Sequence, residues 1–243
     1  MPQCNSAGRR RAMMIGSRMP ASFRIGFLLY EGLTQLDLTG PAQVLSRMPG
    51  AVPVFVGKSM APVMSDCGLA LMPTCRLAES SNFDMICVPG GYGVVEAMAD
   101  AEILTWLRQQ AVSARLVSSV CNGSLLLAAA GLLRGRRAGC HWAWGHALPW
   151  FGAIHEPKRV VVDGPFMTAG GVTAGIDFAF QAIDALAGRD VAETVQLALE
   201  YDPAPLAGGT PATARPEILS ALQPVLTARM ADSLGRIRQI AGA

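Results

Sequence analysis

Short apolar runs alternate with segments of helical spacing along most of the chain. Almost every residue in these runs is apolar, as in strands that are buried on both faces of a parallel sheet. The runs lie at Arg24–Tyr30, Val52–Val56, Met85–Val88, Leu116–Val120 and Phe166–Ala169. Because parallel neighbours need crossover connections, the alternation predicts an α/β domain with a parallel sheet sandwiched by helices. Ligands are then expected beyond the carboxyl ends of the strands.

The helical segments are marked by periodic apolar positions and by residues typical of helix ends. They lie at Pro41–Arg47, Ala101–Ala111, Gly175–Ala187 and Val191–Leu199. We expect Pro41 at the first helical position, where its missing N–H breaks no hydrogen bond, and Asp100 as the cap of the next helix. These helices supply crossovers of the kind that a parallel sheet requires.

Composition divides the chain into three parts. Residues 1–22 are basic and interrupted by Gly16 and Pro20, which argues against a signal peptide or membrane span, so we expect an extension outside the fold. Residues 23–202 carry the alternating pattern and form the expected globular domain. Residues 203–243 begin as a linker rich in Pro, Gly, Ala and Thr. The apolar spacing at Glu217–Ile240 predicts one or two terminal helices that dock or dimerise.

The overall composition narrows the class of protein. With 51% apolar and 16% charged residues among 243, the chain can bury a large core, and one globular domain is expected. A formal charge of +2 provides no basic face for nucleic acid, so the expected partner is a small uncharged molecule. Six cysteines without a CxxC pair predict neither a disulfide framework nor a zinc site, and a cytoplasmic location is expected.

A nucleophile elbow is predicted at Cys121. The segment Leu116–Leu127 runs from an apolar strand through Cys121 and Gly123 into an apolar helix. We expect this turn to present the thiol to solvent and the helix N-terminus to favour thiolate over thiol. Amides of the same turn can hold negative charge that develops on a substrate. The alternative is a buried cysteine that packs as a small hydrophobe, as free cysteines usually do.

Two further loops are expected at the same edge of the sheet. Gly90 and Gly91 follow a strand, and glycines let the backbone approach a ligand, so the Gly91 N–H is a candidate oxyanion donor. A phosphate-binding loop is disfavoured because the GxGxxG pattern and a following Lys-Ser/Thr pair are absent. Asp37 lies between leucines, where apolar surroundings would raise the carboxyl pKa and let it donate a proton. Equally, Asp37 could merely cap the helix that opens near Pro41.

The histidines offer a weaker site. His141 stands between Cys140 and Trp142, and it could complete a Cys-His pair because imidazole is the usual base for a thiol. Beside tryptophans, the same histidine could equally be a packing residue. The three histidines of the chain show no metal-ligand spacing, so no metal is expected.

Several motifs taken together resemble one family. They are GLTQLDLTGP at Gly32–Pro41, VPGG at Val88–Gly91, VCNG at Val120–Gly123, His141-Trp142, GGVTAGID at Gly170–Asp177 and QLALEYDP at Gln196–Pro203. From about Arg24 to Pro205 the chain resembles the ThiJ/PfpI superfamily of class I glutamine-amidotransferase-like domains, and within it the isonitrile hydratases. The resemblance implies a flavodoxin-like α/β fold with a cysteine nucleophile elbow, residues 23–202 as the catalytic domain, and a homodimer that needs no metal or organic cofactor.

The resemblance also implies roles for individual residues. Cys121 takes the position of the nucleophile, and Asp37 that of the acidic residue hydrogen-bonded to the sulfur. Gly91 and Asn122 supply the oxyanion amides, with Gly90 beside them at the substrate. Isonitrile hydratases typically have threonine where this chain has Asn122, which keeps the backbone amide and removes a hydroxyl. DNA-binding relatives add a domain of roughly a hundred residues, whereas about forty follow the predicted catalytic domain here, so no nucleic-acid partner is expected.

The expected reaction is hydration of an isonitrile to an N-substituted formamide through a Cys121 thioimidate, with Asp37 delivering a proton. Two alternatives remain open. One is a glyoxalase-like or deglycase-like hydrolase of small aldehydes, which a catalytic His141 would favour. The other is a non-enzymatic protein whose exposed, low-pKa cysteine senses oxidants.

Overall fold

The apolar runs pair into one seven-stranded sheet in the computed structural model, which describes residues 22–243. The strands of the molecule are β1 Phe23–Leu28, β2 Ala51–Gly57, β3 Val63–Met64, β4 Ala70–Leu71, β5 Cys75–Arg76, β6 Met85–Val88, β7 Leu116–Ser119, β8 Arg137–Ala138, β9 Ile154–His155, β10 Val160–Asp163 and β11 Phe166–Ala169. The main sheet has the order β10-β11-β7-β6-β1-β2-β5. All of its neighbouring strands are parallel except β10 and β11, whereas β3 with β4 and β8 with β9 form two small separate sheets.

Helices cover this sheet in two groups. They are α1 Gln35–Leu45, α2 Val94–Ala99, α3 Ala101–Ser113, α4 Gly123–Ala129, α5 Ala174–Ala187, α6 Arg189–Ala198 and α7 Pro216–Ala241, with 3₁₀ turns at Leu77–Glu79 and Gly145–Phe151. Helix α5 contacts both α1 and α6, whereas α2, α3 and α4 contact one another and α7 packs on α2. The predicted α/β sandwich is therefore confirmed.

The core forms because the central strands are apolar on both faces. All four residues of β6 are buried, and Phe27 of β1 lies opposite Cys87 of β6 and Phe55 of β2 in the parallel register. The rings of Phe27 and Phe55 stack with their centroids 5.6 Å apart. Complete burial of one such side chain contributes roughly 2 kcal/mol. This register brings the carboxyl ends of β1, β6 and β7 to one edge of the sheet.

Helix α1 begins earlier than predicted. It starts at Gln35 after an extended Thr34 with φ −77° and ψ 112°, so Pro41 lies inside the helix and not at its first position. The prediction was wrong because a proline is tolerated there at the cost of one helical hydrogen bond. The cap of α3 is as predicted, since the Asp100 carboxylate accepts two backbone N–H groups of the first turn at 3.0 and 3.3 Å.

The structure adds an edge strand that was not predicted and a single helix near the end of the chain. The sequence pattern did not indicate β10, which pairs antiparallel with β11 through a turn at Gly164 and makes the sheet mixed. Residues 203–215 contain no helix or strand, and a single helix, α7, follows them. The predicted extension at residues 1–22 lies, except for residue 22, outside the described residues. The division into an extension, a catalytic domain and a tail remains a prediction.

Candidate active site

Three loops meet where β1, β6 and β7 end. β6 lies between β1 and β7 in the sheet, so the segments that follow these strands are neighbours. They carry Asp37 in the first turn of α1, the Gly90-Gly91 pair, and Cys121 immediately before α4. The structure thus brings together residues that are far apart in the sequence, as expected for a ligand site at the carboxyl edge of a parallel sheet.

The backbone at Cys121 forms the predicted elbow. Cys121 has a φ of 60°, and Glu200 is the other described residue besides glycine with a positive φ. This conformation is strained for a residue with a side chain, and such strain often marks functional sites. The Cys121 N–H donates to the Gly170 carbonyl at 2.8 Å, and a side chain at Gly123 would overlap the carbonyl oxygen of Val88. The turn therefore depends on glycine and on a loop beyond β11.

The thiol is buried, contrary to the expectation that the elbow presents it to solvent. Cys121 is only 6% exposed. Burial raises the pKa of the Cys121 thiol well above its usual range, and the charges of Asp37 and Cys140 raise it further. The backbone N–H groups of Asn122 and Val172 face the sulfur and lower the same pKa, but their effect is the smaller one. The Asn122 amide at the helix terminus thus favours thiolate, as expected, but desolvation of the charge outweighs its effect.

Asp37 is the acidic partner of this thiol. Its side chain is 0% exposed, and Oδ2 accepts the Gly90 N–H at 2.9 Å. Within the described residues, Oδ1 is buried without a conventional hydrogen-bond partner. Burial raises the pKa of Asp37 to about 7, while the Gly90 N–H and the neighbouring Cys121 thiol lower it. The alternative role as a cap of a helix at Pro41 was wrong, because the carboxyl points to another loop.

The thiol and the carboxyl form a coupled pair. Each group alters the pKa of the other, since the Cys121 thiol lowers the pKa of Asp37 and the Asp37 charge raises the pKa of Cys121. A carboxyl with a pKa near 7 is suited both to accept a proton from the thiol and to donate it again at neutral pH.

The glycine pair is held by hydrogen bonds on every side. The Gly90 carbonyl accepts the Thr34 N–H at 2.9 Å. The Gly91 N–H donates to Asn122 Oδ1 at 2.8 Å, and Asn122 Nδ2 donates to the Gly91 carbonyl at 3.1 Å. A side chain at Gly90 would overlap Asn122 Oδ1, so only glycine fits there. The predicted oxyanion donor, the Gly91 N–H, is therefore already engaged by a side chain.

His141 is not joined to the thiol. Its Nδ1 accepts the Ala143 N–H at 3.2 Å, and its ring stacks on Trp142 with centroids 5.6 Å apart. Burial lowers the pKa of His141. In the portion from residue 22 onward, no hydrogen bond connects His141 to Cys121. The packing alternative describes its surroundings better than the Cys-His pair does.

The sequence did not single out three residues near the site. Val172 directs its N–H to the Cys121 sulfur, and the glycine turn that precedes it was the available signal. Tyr30 is buried at the end of the first apolar run and donates to the Pro89 carbonyl at 2.6 Å. Cys140 is buried close enough for its charge to affect the Cys121 pKa, and no local pattern marked this proximity.

The described residues carry free thiols but neither a metal-ligand cluster nor a membrane-spanning helix. No group of three or more His, Cys, Asp or Glu side chains in residues 22–243 could hold a metal ion. Five cysteines of that range are free thiols. None of the described helices is both long enough and apolar enough to cross a membrane.

Known proteins are similar to this chain in sequence and in fold. The sequence profile of the DJ-1/PfpI family matches residues 23–185. An isonitrile hydratase of Pseudomonas putida is 50% identical over 194 residues, which are 79% of this chain and 85% of that protein. A glutathione-independent glyoxalase of Caenorhabditis elegans is 26% identical over 162 residues, which are 66% of this chain and 86% of that protein. The crystal structure of a ThiJ/PfpI family protein from Pseudomonas syringae superposes with a TM-score of 0.86 at 37% identity and covers 91% of each chain. These matches agree with the family that the sequence motifs resemble.

Proposed function

The chain belongs to the DJ-1/PfpI family, and from this premise we propose that it is an isonitrile hydratase, which converts an isonitrile and water to an N-substituted formamide. The observation that carries the proposal is the buried pair of Cys121 and Asp37 at a strained elbow. The Pseudomonas putida isonitrile hydratase shares half of the aligned residues over most of both chains. We take Cys121 as the nucleophile and Asp37 as the residue that moves the proton.

In the first step the sulfur attacks the terminal carbon of the isonitrile. Asp37 accepts the thiol proton as the C–S bond forms and then delivers it to the same carbon, which yields a thioimidate, R–N=CH–S–Cys121. Because burial keeps the resting thiol protonated, a base beside it is required, and the raised pKa of Asp37 suits this task. The backbone N–H groups of Asn122 and Val172 stabilise the charge that develops on sulfur during the proton transfer.

In the second step water adds to the thioimidate carbon. Asp37, now a carboxylate, takes one proton from the attacking water and passes it to the thioimidate nitrogen, which gives the adduct R–NH–CH(OH)–S–Cys121. Asp37 then takes the proton of the adduct's hydroxyl and returns it to the sulfur as the C–S bond breaks and the formamide leaves. All atoms of the isonitrile and of one water molecule appear in the product. The side chains of the site thus complete the cycle without a change of oxidation state, and the proposal requires no cofactor.

We also propose that the enzyme is a homodimer in a reducing cytoplasm. Four exposed apolar side chains lie on or beside the β3–β4 hairpin: Met60, Met64, Leu69 and Met72. Exposed apolar side chains that are grouped on one hairpin are typical of a protein interface. The free thiols among the described residues suit a reducing compartment. Light scattering on a sizing column is expected to give twice the chain mass, and Leu69→Glu is expected to lower it.

Turnover of a simple isonitrile tests the proposed reaction. We expect wild-type protein to release N-cyclohexylformamide from cyclohexyl isonitrile, and Cys121→Ser to release none. Asp37→Asn should lose about 100-fold or more in kcat, the usual contribution of a general acid or base. Cys67→Ser, which removes an exposed thiol, is the matched control and should keep wild-type activity. An inactive wild type with a reactive Cys121 would overturn the hydratase proposal.

A glyoxalase is the second candidate, because a glyoxalase of the same family is 26% identical over 66% of this chain. The arrangement around His141, whose Nδ1 is engaged by Ala143, offers this reaction no thiol base. Lactate formation from methylglyoxal by wild type, faster than isonitrile hydration, would favour the glyoxalase. Peroxide sensitivity of Cys121 without any turnover would favour the oxidant sensor instead.

A further inference from the structure

The side chain of Asn122 closes the place where a carbonyl oxygen would bind. It is 2% exposed and binds both backbone polar groups of Gly91, accepting from the Gly91 N–H and donating to the Gly91 carbonyl. The neighbouring polar groups of the glycine loop are taken as well, since the Gly90 N–H binds Asp37 and the Gly90 carbonyl accepts Thr34 N–H. Neither N–H of the Gly90-Gly91 pair is therefore open to a substrate.

The engagement of the Gly91 N–H by Asn122 affects some electrophiles more than others, because the charge that forms during attack lies on different atoms. When a thiol attacks an aldehyde, ester or amide, the charge develops on the carbonyl oxygen and must be met by donors that are already in position. Freeing the Gly91 N–H would leave the buried Asn122 oxygen without its partner, which carries a desolvation cost. When a thiol attacks an isonitrile, the reacting carbon is the terminal atom and takes the proton itself. No oxygen anion forms in that step.

We propose that Asn122 is a specificity-determining residue, which blocks the Gly91 oxyanion donor and thereby favours isonitriles over carbonyl electrophiles. The preference for isonitriles in this inference rests on the proposed function. The block on carbonyl substrates is a property of the Asn122 contact with Gly91 and can be measured separately. Asn122 acts through its side chain here, while its backbone N–H remains directed at the Cys121 sulfur.

Three variants test this inference. Asn122→Ala removes both hydrogen bonds to Gly91, and Asn122→Thr can replace only one of them. Ser124→Ala is the matched control, because Ser124 is also buried in the first turn of α4 but its hydroxyl contacts the Cys121 carbonyl at 3.4 Å and not Gly91. Each protein is assayed with p-nitrophenyl acetate, methylglyoxal and cyclohexyl isonitrile, and the exchange rate of the Gly91 amide proton is followed by NMR.

The expected result is a change of selectivity. The ratio of kcat/KM for the ester to that for the isonitrile should rise by at least about tenfold in Asn122→Ala, since one oxyanion donor is typically worth more than this. Asn122→Thr should fall between wild type and the alanine variant, and Ser124→Ala should keep the wild-type ratio. The Gly91 amide should exchange faster in Asn122→Ala, which reports the opened donor independently of activity.

Failure of this inference is distinguishable from failure of the proposed function. Faster exchange at Gly91 without any gain on the ester or on methylglyoxal would overturn the role of Asn122 and leave isonitrile hydration standing. Conversely, a wild type that is inactive on isonitriles would overturn the proposed function, while a gain on the ester in Asn122→Ala would still support the block. If the alanine variant does not fold, the threonine variant decides, and an unchanged ratio with faster exchange there counts against the inference.

Discussion

Replacing Asp37 by asparagine should make the protein more stable at alkaline pH and not at acid pH. Burial raises the pKa of Asp37 from an ordinary 3.8 to about 7 in the folded chain. As pH rises through that range, the unfolded chain loses this proton first, so the folded state becomes less stable with increasing pH. The shift corresponds to roughly 4 kcal/mol at about pH 8 and to less than about 1 kcal/mol at about pH 4. Asparagine keeps an oxygen for the Gly90 N–H but carries no charge, so it removes this penalty.

Urea unfolding of wild type and Asp37→Asn at both pH values measures this effect. The difference in unfolding free energy between the two proteins should move by roughly 3 kcal/mol or more in favour of the variant from about pH 4 to about pH 8. Titrating groups distant from Asp37 contribute equally to both proteins, so their contributions cancel in this difference. Asp190→Asn, at an exposed position of α6, is the matched control for the chemical change. Parallel pH curves for wild type and Asp37→Asn would refute the raised pKa of Asp37.

Further predictions concern the stability of the fold at a glycine of the elbow, at a glycine of α7 and at the contact between Tyr201 and α5. Gly123→Ala should cost about 3 kcal/mol or more by urea unfolding, because its Cβ would overlap the Val88 carbonyl oxygen. Gly235→Ala, in the middle of α7 where no atom lies within 4 Å of the added Cβ, should instead stabilise by up to about 1 kcal/mol. A loss in both variants would contradict the steric argument. Tyr201→Phe should cost about 1 kcal/mol by the same assay, since the Tyr201 hydroxyl donates to Asp177 Oδ1 at 3.0 Å. An unchanged midpoint would show that this contact does not hold α5.

Much of the fold was predictable because it depends on local patterns. The strands of a parallel sheet are buried on both faces, so β1, β6 and β7 appear in the sequence as continuous apolar runs. The elbow at Cys121 was predictable for a similar reason, since a strand, a small turn with Gly123 and an apolar helix stand in direct succession. The convergence of Asp37 and the glycine loop followed from the rule that ligand sites lie at the carboxyl edge.

The chemical state of the site could not be predicted because it depends on contacts between distant segments. The sulfur of Cys121 is covered by a loop that includes Val172, some fifty residues later in the chain. Whether desolvation or the helix terminus controls the thiol pKa is decided by that cover. The occupation of the Gly91 N–H by Asn122 is likewise a contact between two loops, and no spacing in the sequence indicates it. The start of α1 before Pro41 depends on the loop geometry of Thr34.

Intact-protein mass spectrometry during turnover tests the covalent role of Cys121 most directly. Wild-type protein that is quenched while hydrating cyclohexyl isonitrile should carry an adduct with the full mass of one isonitrile molecule, because a thioimidate forms without a leaving group. Peptide mapping should place the adduct on Cys121, and Cys121→Ser should carry none. An adduct on another cysteine, or formamide release by the Cys121→Ser variant at the wild-type rate, would contradict the proposed mechanism.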